Sequence, residues 1–450
     1  MTQGASRREF LRRATRIGAL GAAAPLALNL SAIGAASAAG ATDYKALVCV
    51  FLYGGNDPHN TIVGYDAASH ARYARVRGTV AINRAALANT VVTPEGGWPD
   101  DRQFALNPAL SALMPVFEDG KLALVMNVGT LVQPVTLADY RAQRNLPPKL
   151  MSHNDQSTMW QTMMTEGARS GWGGRMADLL ASANGSQSSL TSLSVGTSAT
   201  FSTGLRVNGF AIGANGPTSL NGVRGVAGAE LAMQRALLNS SRHLLDAELA
   251  ARTQRAIQNG SALNAGLAGI SAPAMPDTPL GSQLGMVARI IAARQALGMK
   301  RQVFLVSLGG FDTHNDLRTR HADLMGQLGG AFAAFQSVLD GMGVGRDVTT
   351  FTASDFGRTL TVNGDGSDHG WGGHHLVMGG AVRPKAWAGA VPSLRIGAAD
   401  DIGQGRLLPA VGVDQYGATL ARWMGVSPGD MPSVFSNIGN YPTSDLGFLA

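Results

Sequence analysis

Four stretches of this 450-residue chain hold six of its nine histidines, each with aspartate close by. "GGNDPHNT" carries Asp57 and His59, and "MSHNDQSTMW" carries Ser152, His153 and Asp155. "GGFDTHND" carries Asp312, His314 and Asp316. "SDFGR" with the following "DHGWGGHH" carries Asp355, Arg358, Asp368, His369, His374 and His375. Taken singly, such residues have ordinary uses. Gly-Asn-Asp favours turns, and Asp312 and Asp355 are acceptable helix caps. Turn chemistry accounts for the glycines and aspartates but not for the histidines beside them. Neutral imidazole together with carboxylate suits Zn²⁺, Mn²⁺ or Fe²⁺, and a carboxylate can bridge two such ions. Two ions about 4 Å apart clamp the attacking and leaving oxygens of an in-line displacement. No stretch matches a local zinc pattern such as H-E-x-x-H, so the chemistry rests on the constellation.

Such a constellation needs elements that bring distant segments together. "ALVCVFLY" (46–53) is a short continuous apolar run, the pattern of a strand buried on both faces. Similar runs occur at 122–129, 302–310, 347–355 and 375–382, with helical patterns leading into several of them. That alternation predicts an α/β fold: a mostly parallel central sheet with helices on both faces. Ligands of such sheets bind at the carboxyl ends of strands, where the Asp/His segments fall. A Ser/Gly-rich stretch and a long helical pattern interrupt the rhythm at about 182–275 and read as an insertion or cap.

The N-terminus reads differently. Five arginines with Glu9 precede an apolar stretch from Ile17 to about Ile33, and Ala36-Ser37-Ala38 follows as a cleavage-type site. This is the order of a secretory signal, and "SRREFL" fits the twin-arginine export motif. Residues 1–38 are therefore expected to be a removable leader handled by the twin-arginine translocase, with 39–450 acting in the periplasm or outside the cell. The formal charge of +6 comes from 36 basic and 30 acidic residues, and without the leader 31 and 29 remain. That near-balance, without a basic face, argues against nucleic acid. The sole cysteine, Cys49, lies in an apolar run and reads as core rather than disulfide. No later apolar run reaches membrane-spanning length.

The order of an Asp after the first strand, Asp-x-His, Ser-Asp-x-Gly and a late His resembles the alkaline phosphatase-like superfamily, which includes sulfatases and phosphodiesterases. The leader and the quoted motifs together look like a large bacterial family of twin-arginine-exported proteins of unknown function placed within it. The resemblance implies a site with one or two divalent metal ions (Zn, Mn or Fe). Asp57 would be the first-strand carboxylate, facing a metal and the nucleophile. Asp312 and His314 would serve one metal and Asp355 the other, with His369 or one of His374 and His375 as the late histidine. Ser152 would stand in the nucleophile's place or act as an N-cap, with His153 as rival ligand or base. Arg358 would hold a phosphate or sulfate oxygen by a forked contact, or pair with a surface acid. The chain departs from the superfamily pattern at Phe356, where histidine usually follows the late aspartate. It departs again at His314, which comes two rather than four residues after its aspartate, leaving Asp316 at the fourth position. The expected function is an exported metal-dependent hydrolase of phosphate or sulfate esters. The alternative is a non-catalytic exported binding or assembly protein on the same scaffold.

Overall fold

Alternate side chains of Lys45–Leu52 (β1) enter two different cores, which is why the run is apolar without interruption. The computed structural model describes residues 41–164, 167–217 and 244–450. The expected leader, and the part of the long helical pattern before 244, lie outside the described residues.

The remaining strands, in chain order, are β2 (Ile62–Gly64), β3 (Val91–Val92), β4 (Phe104–Leu106), β5 (Leu122–Gly129), β6 (Ser192–Val195), β7 (Phe210–Ile212), β8 (Arg301–Leu308), β9 (Val348–Ser354), β10 (Gly373–Met378), β11 (Trp387–Gly389) and β12 (Val411–Gly412). The helices that matter here are α1 (Pro58–Thr61), α2 (Ala67–Arg77), α3 (His153–Thr162), α4 (Trp172–Leu180), α5 (Leu244–Leu267), α6 (Pro279–Ala292), α7 (Leu317–Gly341) and α8 (Val413–Met424). Nine strands form one sheet in the order β11-β5-β10-β9-β1-β8-β6-β7, with β12 also on β5. All pairings in it are parallel except the two made by β10. This is the expected mostly parallel α/β sheet.

On one face Val48, Val50 and Leu52 pack with Phe304, Val306, Leu284 and Ile290 of β8 and α6, and with Leu328 and Phe332 of α7. On the other, Leu47, Cys49 and Phe51 pack with Trp172 and Met176 of α4 and Tyr416 and Leu420 of α8. Fully burying each such side chain contributes about 1.5–3 kcal/mol, so the strands that carry the site are anchored from both faces. Cys49 is a buried free thiol, and burial pushes its pKa up.

Two features differ from the sequence expectation. β6 and β7 are strands of the central sheet, so part of the segment expected to be an insertion extends the sheet instead. Also, β2, β4 and β3 make a small antiparallel sheet beside α2 that the sequence pattern did not suggest. Among the described residues no helix is long and apolar enough to cross a membrane.

Registers bring the segments together. Leu52 lies level with Leu308 on one side and with Ser354 on the other, so β1, β8 and β9 end at one rim. Because β10 runs the opposite way, its first residues, paired with the end of β5, start at that same rim.

Candidate metal centre

At the rim the chain turns sharply through Gly54 and Gly55, whose φ values are +113° and +82°. Neither could carry a side chain. A Cβ on Gly54 would lie 2.4 Å from the Asp312 amide nitrogen, and one on Gly55 2.4 Å from the Phe356 ring. The loops after β1, β8 and β9 are thereby pressed against one another.

Asp312, just beyond β8, is the hub. Its Oδ1 lies 3.1 Å from His314 Nε2, 3.2 Å from His369 Nε2 and 3.6 Å from His153 Nε2, and it accepts from Arg358 Nη1 at 3.0 Å. Desolvation pushes this carboxyl's pKa up, but the hydrogen bond and charge of Arg358, with the nearby histidines, outweigh it and hold the pKa below the ordinary value.

Two of the imidazoles are locked from behind. His153, the first residue of α3, donates from Nδ1 to Asp355 Oδ2 at 2.8 Å. His369 donates from Nδ1 to the Met151 carbonyl at 2.9 Å. Since a carboxylate and a carbonyl only accept, each ring carries a proton on Nδ1, and in the neutral form its bare Nε2 faces Asp312. The Asp355 hydrogen bond raises the pKa of His153 against desolvation, whereas desolvation lowers that of His369. In that neutral form two lone pairs and an anionic oxygen face one another, an arrangement that a cation among them would satisfy. His153, Asp312 and His369 each offer a ligand atom, all within 4.8 Å of one another. Two imidazoles and one carboxylate, each imidazole held by an outer partner, form a donor set suited to a borderline divalent ion. Asp355 Oδ1, buried and without a hydrogen-bond partner, lies behind this group.

The other expected site residues fall as follows. His314 stands at the outer side, its Nε2 also 2.9 Å from His369 Nε2 and its Nδ1 3.5 Å from Asp368 Oδ1. Asp355, expected as a ligand, instead orients His153 and accepts from the Gly54 amide at 3.1 Å. Ser152 occupies the N-cap position of α3, but its hydroxyl donates to Asp155 Oδ2 at 2.7 Å and makes no cap bond. Arg358, expected to meet substrate, is completely buried. It donates to Gly54 O, Phe311 O and Asp312 Oδ1, and to both Oγ and O of Ser367, so no face is left for a ligand. Asp57 is also turned away: it accepts from the His59 amide at 3.0 Å as the cap of α1 and pairs with the buried Arg77. His375 sits inside the sheet, stacked on Tyr416 at 5.7 Å with Nδ1 3.3 Å from Thr352 Oγ1, and burial lowers its pKa to about 3. His374 Nδ1 accepts from the Asn127 amide at 3.0 Å. Of the three late histidines, His369 is the one at the rim.

Three residues that the sequence did not single out in these roles shape the centre. Arg77 neutralises Asp57, and Met151 supplies the carbonyl for His369. Phe356 is buried with its ring 4.8 Å from that of His153 and 4.6 Å from that of His369. Only Phe356 carried a signal, as the aromatic in a polar motif.

No curated protein matches the chain. One solved structure that does, described as Ps i-CgsB in complex with k-i-k-neocarrahexaose, is 9% identical, with 88% of this chain and 77% of that chain covered and a TM-score of 0.32. A similarity that low does not equate the two folds. Residues 44–429 match the family described as "Protein of unknown function (DUF1501)", and the chain belongs to it.

Proposed function

We propose that this protein is an exported metal-dependent hydrolase of phosphate or sulfate esters, with its ion held by His153, Asp312 and His369. The observation that carries the reading is the pair of Nε2 atoms turned on Asp312 Oδ1 at 3.6 and 3.2 Å, while both Nδ1 atoms are engaged by acceptors behind them. Three protein ligands are the number found in catalytic rather than structural sites, where a position stays open to water or substrate. The side chains of Asp312 and His153 are 45% and 35% exposed, which supports that open position. A divalent ion bound there supplies a Lewis acid that polarises an ester oxygen and acidifies water.

The chain's own residues do the rest. Arg358 fixes Asp312 from below, and Asp355 and the Met151 carbonyl fix the two rings. His314, between Asp312 and Asp368 on the solvent side, is placed to pass a proton to or from a bound ester. Ser152 is no nucleophile in this reading, because its hydroxyl is committed to Asp155. The ester class follows from the resemblance of the motifs, and the extracytoplasmic setting from the leader.

The test is a panel of phosphomonoester, phosphodiester and sulfate ester substrates, with metal content measured on untagged protein. Wild type is expected to carry metal and cleave one class, and Asp312→Ala and His369→Ala to lose metal and at least a hundredfold in kcat/KM. Equal activity in wild type and both variants overturns the site. Bound metal without turnover of any ester favours the binding-protein alternative.

A further inference from the structure

Resting on that metal centre, we infer that Met151 is its positioning residue: a left-handed backbone at this position aims the carbonyl that sets the tautomer of His369. Met151 has φ = +66°, a region that non-glycine residues seldom occupy, and it follows Gln143, Asn145 and Lys149, which have φ = +54°, +57° and +48°. Four left-handed non-glycine residues within nine positions are unfavourable unless the surroundings impose them.

Side chains of α3 hold the second half of this loop. Gln156, one turn into α3, donates its side-chain amide to the carbonyls of Pro148 and Lys149 at 3.2 and 3.4 Å. Asp155 accepts from Ser152 Oγ at 2.7 Å and pairs with Lys149 Nζ at 3.2 Å. The loop and the first turn of α3 are therefore one piece. That piece carries both a ligand, His153, and the group that orients the other ligand ring, the Met151 carbonyl. The second imidazole comes from 218 residues further along the chain. Order in 148–156 and grip on the ion are thus coupled, so binding the ion holds the loop and a disturbed loop releases the ion.

The test uses the full chain, freed of metal by chelator dialysis and titrated with Co²⁺, whose visible absorption reports the ligand field. Met151→Gly, for which positive φ carries no steric penalty, is expected to keep the wild-type spectrum with affinity within a few-fold. Met151→Val, β-branched and strained there, is expected to bind ten- to a hundredfold more weakly with an altered spectrum. Independently of any variant, Co²⁺ is expected to slow tryptic cleavage after Arg144 and Lys149 in wild type. Wild-type affinity and spectrum in a folded Met151→Val, or cleavage unmoved by bound Co²⁺, would overturn the assignment. No Co²⁺ binding by wild type would instead overturn the metal centre itself, and this inference with it.

Discussion

Asp312 Oδ1 accepts from Arg358 Nη1 at 3.0 Å across the boundary of the protein, the guanidinium wholly buried and the carboxylate nearly half exposed. A permanent interior cation thus supports an outward-facing carboxylate. The same guanidinium serves four other acceptor contacts on the loops that meet at the rim. Arg358→Met is therefore expected to act through the fold. It strands buried carbonyls and should cost roughly 3 kcal/mol of stability, measured as a lower urea midpoint, rather than raise KM alone.

Buried Phe356 lies against the rings of both His153 and His369, where its carbon offers nothing to a cation. Asp57, the nearest alternative acid by sequence logic, is already paired with Arg77. Calorimetric titration of metal-free protein with Zn²⁺ is expected to show one equivalent per chain. A second tight equivalent would mean that Phe356 and Arg77 do not close the inner side.

Burial holds four histidines neutral: the pKa of His59 and His321 falls to about 4, and that of His374 and His375 to about 3. Unfolded, each takes up its proton near pH 6.5, so the unfolded chain binds more protons below that value. Stability is then full above pH 6.5 and falls as pH drops toward 4, by about 1.4 kcal/mol per pH unit for each histidine. Denaturant curves at pH 7.5 and 5.5 are expected to show the loss, and His375→Gln to lessen its slope by one proton's share.

Asp414 has the opposite sign. Burial lifts its carboxyl to about 6, only partly offset by Asn437 and Arg175. The folded state then binds the extra proton between about pH 4 and 6, and stability falls as pH rises through that window. Asp414→Asn is expected to be more stable than wild type at pH 8 by about 3 kcal/mol, with the difference gone below pH 4. Paired melts at the two pH values measure this.

The central strands were legible because β1, β5, β8 and β9 are buried on both faces and so read as unbroken apolar runs. β6 and β7 were not, since Ser192, Ser194 and the short Phe-Ala-Ile run sit in a Ser/Gly-rich stretch that resembles loop. The reversed direction of β10 depends on how the chain travels from Ser354 to Gly373, and no local periodicity encodes that. His153, Asp312 and His369 could be picked out as Asp/His motifs. Whether an aspartate faces an ion, an imidazole or a guanidinium is decided by register and packing, and these set Asp355 on His153 and Asp57 on Arg77. Met151 acts through its backbone, which side-chain identity does not disclose.

The antiparallel course of β10 also bears on the order of events during synthesis. His369 lies just before that strand and is tied to Arg358 by an antiparallel bridge, so a nascent chain that ends before residue 369 has the earlier proposed ligands but not the whole set. On the proposed ligand set, ion capture would await most of the polypeptide, and chains truncated ahead of His369 should emerge from the ribosome without the ability to load.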